Sequence, residues 1–438
     1  MQKEMRTPKK KGKCIVCGFE LSKPLFVLPN MPAGAQAMPD KAGLKSDRGI
    51  ELPLCRCPEC GLYQFDCEPV DYYKDAIRVV GLSETMRNLR RSDYRHLMED
   101  YGLKGAKFIE CGCGNGDFLE VLKEFPVDIY GMEAGEENVA EAKEKLCADG
   151  TVPESHIMRL FPDSGELKVE GGPFDCFLSF NFLEHQPDPV SMLKCMYNNL
   201  KDGGFGLISV PAFEYIIKNG RYYELIRDHI ANYDMDSLKY LVNKCGFEVI
   251  ESRFAGIGDT IEFLVKKSAG TGEENAPTLN LDTAILPEGS KSKSDKKENE
   301  RPEGRSGGGS LDTAGDGSVL KDDYIRMCGE IADYMSRLKA SGRSIALWGA
   351  GHQGFTIAST TALKDNVRYI IDSSGKKQGL FAPASHIPIV PPEKYLRDPV
   401  DVIMIAAPGY IREIESTIRE RFKDRLPAIC DVIDMTER

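Results

Sequence analysis

The sequence predicts an α/β protein with two doubly wound domains behind a small cysteine-rich N-terminal segment. Three observations predict this organisation. Residues 101–267 alternate strand-like and helix-like runs, a shorter alternation of the same kind fills residues 319–438, and the first 75 residues are instead rich in Pro, Gly and Cys. Alternation of strands and helices indicates mostly parallel sheets with helices on both faces.

The first alternation begins with a strand at 107–110, followed by a glycine loop and a helix at 117–125. Further strands are expected at 127–132, 174–180, 206–210, 247–253 and 260–266. Helices are expected at 138–147, 189–200 and 236–245. We therefore predict one doubly wound sheet in the middle of the chain.

The second alternation opens with a helix whose apolar residues fall on one face, namely Leu320, Tyr324, Met327, Ile331, Met335 and Leu338. Strands are then expected at 344–348, 367–371, 386–390 and 402–406. This pattern predicts a smaller Rossmann-like C-terminal domain.

A polar segment separates the two alternations. Residues 287–310 contain none of the residues AVILMFWYC, so they cannot bury enough apolar surface to offset the entropy of ordering them. We expect an N-terminal domain at 1–75, a central domain at 76–267, a disordered linker at 268–318 and a C-terminal domain at 319–438.

Composition excludes several function classes. The 438 residues carry 57 Lys+Arg and 68 Asp+Glu, a net charge of −11, which argues against a nucleic-acid or anionic-membrane binder. No apolar stretch is long enough for a membrane span, and the basic N-terminus runs into Cys14 and Cys17 where a signal peptide would have its hydrophobic core. We expect a cytoplasmic protein.

Two cysteine pairs predict a metal site. Cys14-x-x-Cys17 and Cys57-x-x-Cys60 are each followed by glycine, and four such thiolates complete a closed tetrahedral zinc shell with no open position for catalysis. Cys55 and Cys67 are competing ligands, but the Cys57 pair repeats the form of the first pair. We expect one structural Zn²⁺ bound by Cys14, Cys17, Cys57 and Cys60.

The glycine loop after the first strand predicts a ligand site. Gly112, Gly114 and Gly116 alternate with Cys113 and Asn115, and this spacing lets a ligand pack directly on the backbone at the carboxyl end of the strand. Glu133 lies at the end of the next strand, where a carboxylate can accept hydrogen bonds from both ribose hydroxyls of an adenosine.

Together with Glu110, this loop resembles the class I S-adenosylmethionine-dependent methyltransferases. Phe174-Asp175, the segment from Asn181 to His185 and the segment from Leu200 to Gly204 match later motifs of that class in order. The resemblance implies S-adenosyl-L-methionine as cofactor. The residues implied to bind it are Glu110, Gly112, Cys113, Gly114, Asn115, Gly116, Glu133 and Asn181.

A second glycine motif, Gly349-Ala350-Gly351-His352-Gln353-Gly354, joins a strand to a helix, with Asp372 beyond it. Alone it would suggest nicotinamide dinucleotide binding. The predicted domain is small for both mononucleotide halves. Anchoring of a phosphate or substrate by Gly349, Gly351 and Gly354, a purely structural turn, and dinucleotide binding all remain open.

The three parts together resemble a family of sugar C-methyltransferases with a four-cysteine zinc domain, a methyltransferase domain and a Rossmann-like C-terminal domain. Further segments that carry the resemblance are Leu28-Pro29-Asn30-Met31-Pro32-Ala33, Trp348-Gly349-Ala350, Ile371-Asp372, Lys377-Gln378-Gly379 and Ile387-Pro388-Ile389-Val390. The family methylates the carbon beside a ketone in nucleotide-linked 4-keto-deoxysugars, which implies a small-molecule acceptor of that kind.

The family's His-Glu-His segment reads Arg227-Asp228-His229 here, and the expected preceding tyrosine is Ile226. The resemblance implies His229 as the base. We expect Asp228 to orient its ring or stabilise its protonated form, and His185, which follows the strand before Asn181, is the rival base. The nearby Tyr222 is a candidate substrate contact. The departures leave two alternatives open: an O- or N-methyltransferase acting on another small molecule, and a non-catalytic assembly protein that binds S-adenosylmethionine or NAD. The acceptor and the oligomeric state are not specified by the sequence.

Overall fold

The computed structural model describes residues 12–70, 72–74, 82–268, 318–433 and 435–437. The linker was predicted at residues 268–318. Only its first and last residues are described, so this prediction lies outside the described residues.

The N-terminal segment forms a small antiparallel sheet from three strands, β1 (Phe26–Pro32), β2 (Gly49–Arg56) and β3 (Tyr63–Phe65). Leu28 lies opposite Leu52, and both are fully buried. The sequence analysis did not predict these strands, because prolines interrupt them and their alternation of apolar and polar residues is incomplete.

The central domain contains the predicted alternation. Its elements are α1 (Glu84–Asp100), β4 (Lys107–Cys111), α2 (Asp117–Leu122), β5 (Asp128–Glu133), α3 (Glu136–Cys147), β6 (Ile157–Arg159), β7 (Phe174–Phe180), α4 (Pro189–Asn199), β8 (Leu200–Pro211), α5 (Phe213–Lys218), β9 (Ala231–Asn232), α6 (Met235–Lys244), β10 (Phe247–Ala255) and β11 (Thr260–Lys267). Seven strands form one sheet in the order β6-β5-β4-β7-β8-β11-β10. The first five are parallel, and β11 and β10 are antiparallel additions.

The sequence of the middle strand accounts for its position. Six of the seven side chains of β7 are buried, which is typical of a parallel strand covered by helices on both faces. The neighbouring strand β8 starts at Leu200, earlier than the predicted residue 206, because Leu200 already pairs with Phe174. The predicted doubly wound sheet is confirmed, and its carboxyl edge carries the glycine loop.

The C-terminal domain comprises α7 (Ser318–Ala340), β12 (Ile345–Trp348), α8 (His352–Thr360), β13 (Val367–Ile371), β14 (Ile389–Val390), α9 (Glu393–Arg397), β15 (Val402–Ile405), α10 (Ile411–Arg421) and β16 (Ala428–Asp431). Its five strands are all parallel, in the order β14-β13-β12-β15-β16. The strand predicted at 386–390 is reduced to two residues, because His386 has a left-handed backbone and Pro388 cannot donate to a ladder.

Contacts between the three parts define where the site lies. Strand β9 of the central domain pairs with β3 and so becomes the fourth strand of the N-terminal sheet. Apolar residues of the N-terminal sheet, of α5 and of α7 pack into one shared core that includes Leu28, Phe213 and Leu320. The chain just before β9, which includes His229, therefore lies where the three parts meet.

Among the helices within the described residues, none is both long and apolar enough to cross a membrane.

Candidate functional site

The glycine loop lies directly after β4, as predicted. Gly112 has a φ of +75°, and a Cβ there would lie 2.3 Å from the ring of Phe182. The amides of Gly112 and Cys113 both donate to the carbonyl of Met132, at 2.9 and 3.0 Å. Only glycine fits at position 112, because a side chain would meet Phe182 and would disfavour the left-handed backbone.

The other residues of the glycine loop differ in their burial and in their contacts. The thiol of Cys113 is buried in the core, so only the backbone of Cys113 is available to a ligand. Asn115 has a buried Oδ1 to which none of the described residues forms a hydrogen bond. Gly116 has a φ of +82° and caps the N-terminus of α2.

Glu133 faces the same loop from the end of β5. Its Oε2 accepts a hydrogen bond from the amide of Gly114 at 3.0 Å, and its Oε1 accepts one from the amide of Gly135 at 2.8 Å. Each carboxylate oxygen has a second lone-pair site, so the group can still accept hydrogen bonds from a ligand.

Beside the loop is a cleft lined by Lys74, Gly112, Met132, Glu133, Ala134, Leu160, Phe161, Pro162 and Phe182. Phe161 and Phe182 form its aromatic walls, with ring centroids 6.2 Å apart. The ammonium of Lys74 lies 4.9 Å from the ring centroid of Phe161 and 3.2 Å from a carboxylate oxygen of Asp163. Lys74, Phe161 and Phe182 were not predicted as cleft residues, although Phe182 lies within the motif from Asn181 to His185. The signal in the sequence that could have identified Phe161 is the apolar run that continues from β6 to Pro162.

Two predicted cofactor residues lie at adjacent strand ends. Glu110, on β4, is 1% exposed, and no described residue forms a hydrogen bond with its Oε2. Burial raises the pKa of Glu110 to about 8. Asn181 follows β7 with a φ of +46°, and its exposed side chain lies at the same edge of the sheet.

The predicted base lies in a cluster of titratable side chains. Donor atoms of Glu184, His185 and His229 lie within 4.8 Å of one another. The rings of His185 and His229 meet edge to face with centroids 4.6 Å apart, and Nδ1 of His185 lies 3.0 Å from the carbonyl oxygen of Asp228. The structure thus places His229 next to its rival, His185.

Burial determines the charge states in this cluster. It lowers the pKa of His185, and burial together with the nearby His185 and His352 holds the pKa of His229 well below 6.5. Burial raises the pKa of Glu184 to about 8, and its Oε2 has no hydrogen-bond partner among the described residues. At pH 7 both imidazoles are therefore neutral and Glu184 is protonated.

Asp228 is buried next to His229. Its Oδ2 accepts a hydrogen bond from the side chain of Gln36 at 3.2 Å, whereas its Oδ1 has no hydrogen-bond partner in the part of the chain that the structure describes. Gln36 belongs to the N-terminal segment, which therefore contributes a side chain to this cluster.

The second glycine loop forms a tight joint between β12 and α8. A Cβ on Gly354 would lie 2.3 Å from the carbonyl oxygen of Gly349, whereas a Cβ on Gly351 would meet open space. Asp372 accepts hydrogen bonds from the amide of Ala350 at 2.9 Å and from Lys377 at 3.1 Å. This geometry favours the structural interpretation of the loop over dinucleotide binding.

The loop nevertheless faces the central domain. His352 Nε2 lies 3.3 Å from Glu224 Oε2, and Gln353 Nε2 donates to Glu224 Oε1 at 2.8 Å. Burial alone would raise the pKa of Glu224, but these two hydrogen bonds hold it below its ordinary value. The sequence analysis gave His352 no role, because its partner lies far upstream in the chain.

Tyr222 is not brought to the cluster. It is fully buried in the core shared with the C-terminal domain, and its hydroxyl lies 3.3 Å from that of Thr360. Its predicted contact with a substrate is not favoured by this position, because α7 and α8 cover it.

The four predicted zinc ligands come together. Their Sγ atoms lie within 4.8 Å of one another, with Cys14–Cys60 and Cys17–Cys57 each at 3.4 Å. In both pairs the amide of the following glycine donates to the carbonyl of the first cysteine at 3.0 Å. Cys55 and Cys67 lie outside this group, so the preference for Cys57 agrees with the geometry. The donor set fits Zn²⁺.

Two segments of the chain match models of known protein families. Residues 82–252 match a family model described as a methyltransferase domain, and residues 318–426 match one described as a C-methyltransferase C-terminal domain. The ubiquinone biosynthesis O-methyltransferase of Psychrobacter arcticus is 29% identical over 113 residues, which are 25% of this chain and 42% of that protein. The enzyme of the same name from Pseudomonas aeruginosa is 28% identical over 106 residues, 24% and 44% of the two chains. The chain thus spans less than half the length of these curated relatives.

Among solved structures, an S-adenosylmethionine-dependent methyltransferase from Clostridium acetobutylicum is 14% identical, with a TM-score of 0.34 over 41% of this chain and 91% of that one. Magnesium protoporphyrin IX methyltransferase from Synechocystis is 17% identical, with a TM-score of 0.35 over 45% and 91%. By its sheet order and its matched domains, the chain has the class I methyltransferase fold: it carries a methyltransferase domain and a C-methyltransferase C-terminal domain.

Proposed function

We propose that the chain transfers a methyl group from S-adenosylmethionine to a carbon beside a ketone, in a nucleotide-linked deoxysugar or a similar activated keto compound. The observation that carries this proposal is the position of His229. It lies beside His185, which follows the cleft residue Phe182 by three residues, and the C-methyltransferase C-terminal domain contributes His352 near it.

The cleft beside the glycine loop fits the cofactor. Gly112, the Glu133 carboxylate and the ring of Phe161 line this cleft, and a carboxylate beside an aromatic wall suits an adenosine. When bound, S-adenosylmethionine supplies a methyl group on a positively charged sulfur.

The residues of the cluster perform the proton step. A carbon beside a ketone becomes a nucleophile only after it loses a proton, and a ring nitrogen of the neutral His229 accepts that proton. The neighbouring Asp228 stabilises the resulting imidazolium by its negative charge. The contact of 3.0 Å between Nδ1 of His185 and the carbonyl oxygen of Asp228 fixes the orientation of the His185 ring.

The four-cysteine cluster binds one structural Zn²⁺ in this proposal. Cys14 and Cys60 are fully buried and pack in the same core as Leu238 and Leu241 of α6. The ion would therefore fix the N-terminal segment to the methyltransferase domain, away from the reacting atoms.

We expect Glu133→Ala to weaken the binding of S-adenosylmethionine more than about tenfold, because the ribose loses hydrogen bonds to a charged group, each worth about 1.5–3 kcal/mol. Isothermal calorimetry measures the effect. Glu137→Ala, which removes an exposed carboxylate from the first turn of α3, is the matched control and should bind normally. Unchanged affinity in Glu133→Ala would refute the placement of the ribose.

The function itself is tested with a panel of nucleoside diphosphate 4-keto-deoxysugars. A ligand that binds only the native state raises the melting temperature, so a thermal-shift screen identifies acceptors. Each one that binds is then incubated with S-adenosylmethionine, and S-adenosylhomocysteine and the methylated product are measured by mass spectrometry. We expect at least one keto sugar to be both bound and methylated. Binding and turnover confined to compounds without a ketone would overturn the proposal.

One observation favours a second candidate, an O-methyltransferase. The curated relatives are named ubiquinone biosynthesis O-methyltransferases, although the matches cover about a quarter of this chain. In that case the acceptor would be a hydroxyl compound, and no acceptor carbon would exchange its hydrogen with solvent deuterium. Deuterium exchange at the acceptor carbon therefore separates the two candidates.

A further inference from the structure

Arg227 stands where the sugar C-methyltransferases have the first histidine of their His-Glu-His segment, and its side chain contacts three backbone carbonyls. The guanidinium of Arg227 donates to the carbonyl of Ala33, to that of Glu68 at 3.0 Å and to that of Pro69 at 3.4 Å. These carbonyls belong to two separate stretches of the N-terminal segment. Because arginine offers several donors in one planar group, a single side chain can hold both stretches.

The residues that follow are held by the same segment. Gln36 binds the carboxylate of Asp228, and the amide of Phe65 donates to the carbonyl of Ile230 at 3.0 Å. Residues 231 and 232 then pair with β3. His229 is thus flanked on both sides by residues that are attached to the N-terminal segment.

We propose that Arg227 is a positioning residue, which fixes the His229 loop against the N-terminal segment so that the segment becomes part of the acceptor site. The proposal rests on the proposed function, in which His229 is the base. It also gives a role to the Leu28–Ala33 motif, because the motif ends at a carbonyl that Arg227 binds.

The test uses the full chain and measures the titration of the His229 imidazole by NMR, with His229→Gln to assign the signal. In the described part of the chain, the charged and titratable groups near His229 are Glu184, His185, His352 and the adjacent Asp228. In the native protein we expect His229 to stay neutral down to well below pH 6.5. In Arg227→Met the loop opens to water, so the pKa of His229 should rise toward its ordinary 6.5. Arg227→Lys should restore part of the native behaviour.

Controls separate positioning from general destabilisation. Arg368→Met removes an exposed arginine that pairs with Asp398 in the C-terminal domain, and it should leave the His229 titration unchanged. The affinity for S-adenosylhomocysteine should stay within about twofold of native in all variants, because the cofactor cleft is not touched by Arg227.

Should Arg227→Met fail to fold, Gln36→Leu removes only the side-chain bond to Asp228 and should shift the titration in the same direction. An unchanged His229 titration in every folded variant would overturn the proposal. Failure of the proposed function is visible separately: the titration would shift as expected, yet His229→Gln would retain full methyl transfer.

Discussion

His229→Gln should abolish methylation of the acceptor and exchange of its C–H hydrogen, with S-adenosylmethionine affinity nearly unchanged. A positioned base contributes roughly 10²–10⁴-fold to such a step, and glutamine keeps much of the shape of histidine but cannot accept the proton. The measurement is turnover with an acceptor from the keto-sugar panel, together with calorimetry of the cofactor.

The pH dependence follows from the environment of His229. A base works in its neutral form, and burial holds the pKa of His229 well below 6.5. The rate should therefore stay nearly constant between pH 7 and 6, where an exposed histidine would lose activity as it becomes protonated. His96→Gln, which changes an exposed histidine on α1, is the control and should be fully active. Normal turnover by His229→Gln would transfer the role of base to His185, since Tyr222 is buried away from the cluster.

Cys17→Ser and Cys60→Ser should each lose the one equivalent of zinc that the native chain carries, and should lose much of the stability of the N-terminal segment. Structural zinc sites in small modules are worth about 10–16 kcal/mol of apparent binding free energy, so loss of a ligand has a large effect. Elemental analysis and thermal unfolding measure the two consequences.

Cys55→Ser is the informative control for the zinc prediction. Cys55 is buried two residues before Cys57 but lies outside the cluster, so its replacement should leave the zinc content unchanged. Zinc retained by both Cys17→Ser and Cys60→Ser, or lost from Cys55→Ser, would contradict the ligand assignment.

Local patterns predicted the parts of the fold that depend on local sequence. Strands β4, β5 and β7 lie within about one residue of their predicted bounds, because buried parallel strands read as continuous apolar runs between turn residues. The paired CxxC spacing likewise separated Cys57 from Cys55, since only one choice repeats the form of the first pair.

Features that depend on distant contacts were not predictable. Strand β9 is two residues long and exists only because β3 pairs with it. Tyr222 was expected near a substrate, but helices α7 and α8, about a hundred residues further along the chain, cover it. His352 contacts Glu224 and lies near His229, and no spacing in the sequence connects these residues. Phe161 and Phe182 form one cleft only after β6 and β7 have joined the same sheet.

The position of a labelled methyl group in the product decides whether a carbon of the acceptor receives it. The chain is incubated with S-adenosylmethionine carrying a ¹³C methyl and with a keto sugar from the panel, and the product is examined by carbon NMR. We expect a ¹³C methyl bonded to the carbon beside the ketone, with the loss of one hydrogen from that carbon. A labelled methyl bonded to oxygen or nitrogen would contradict it.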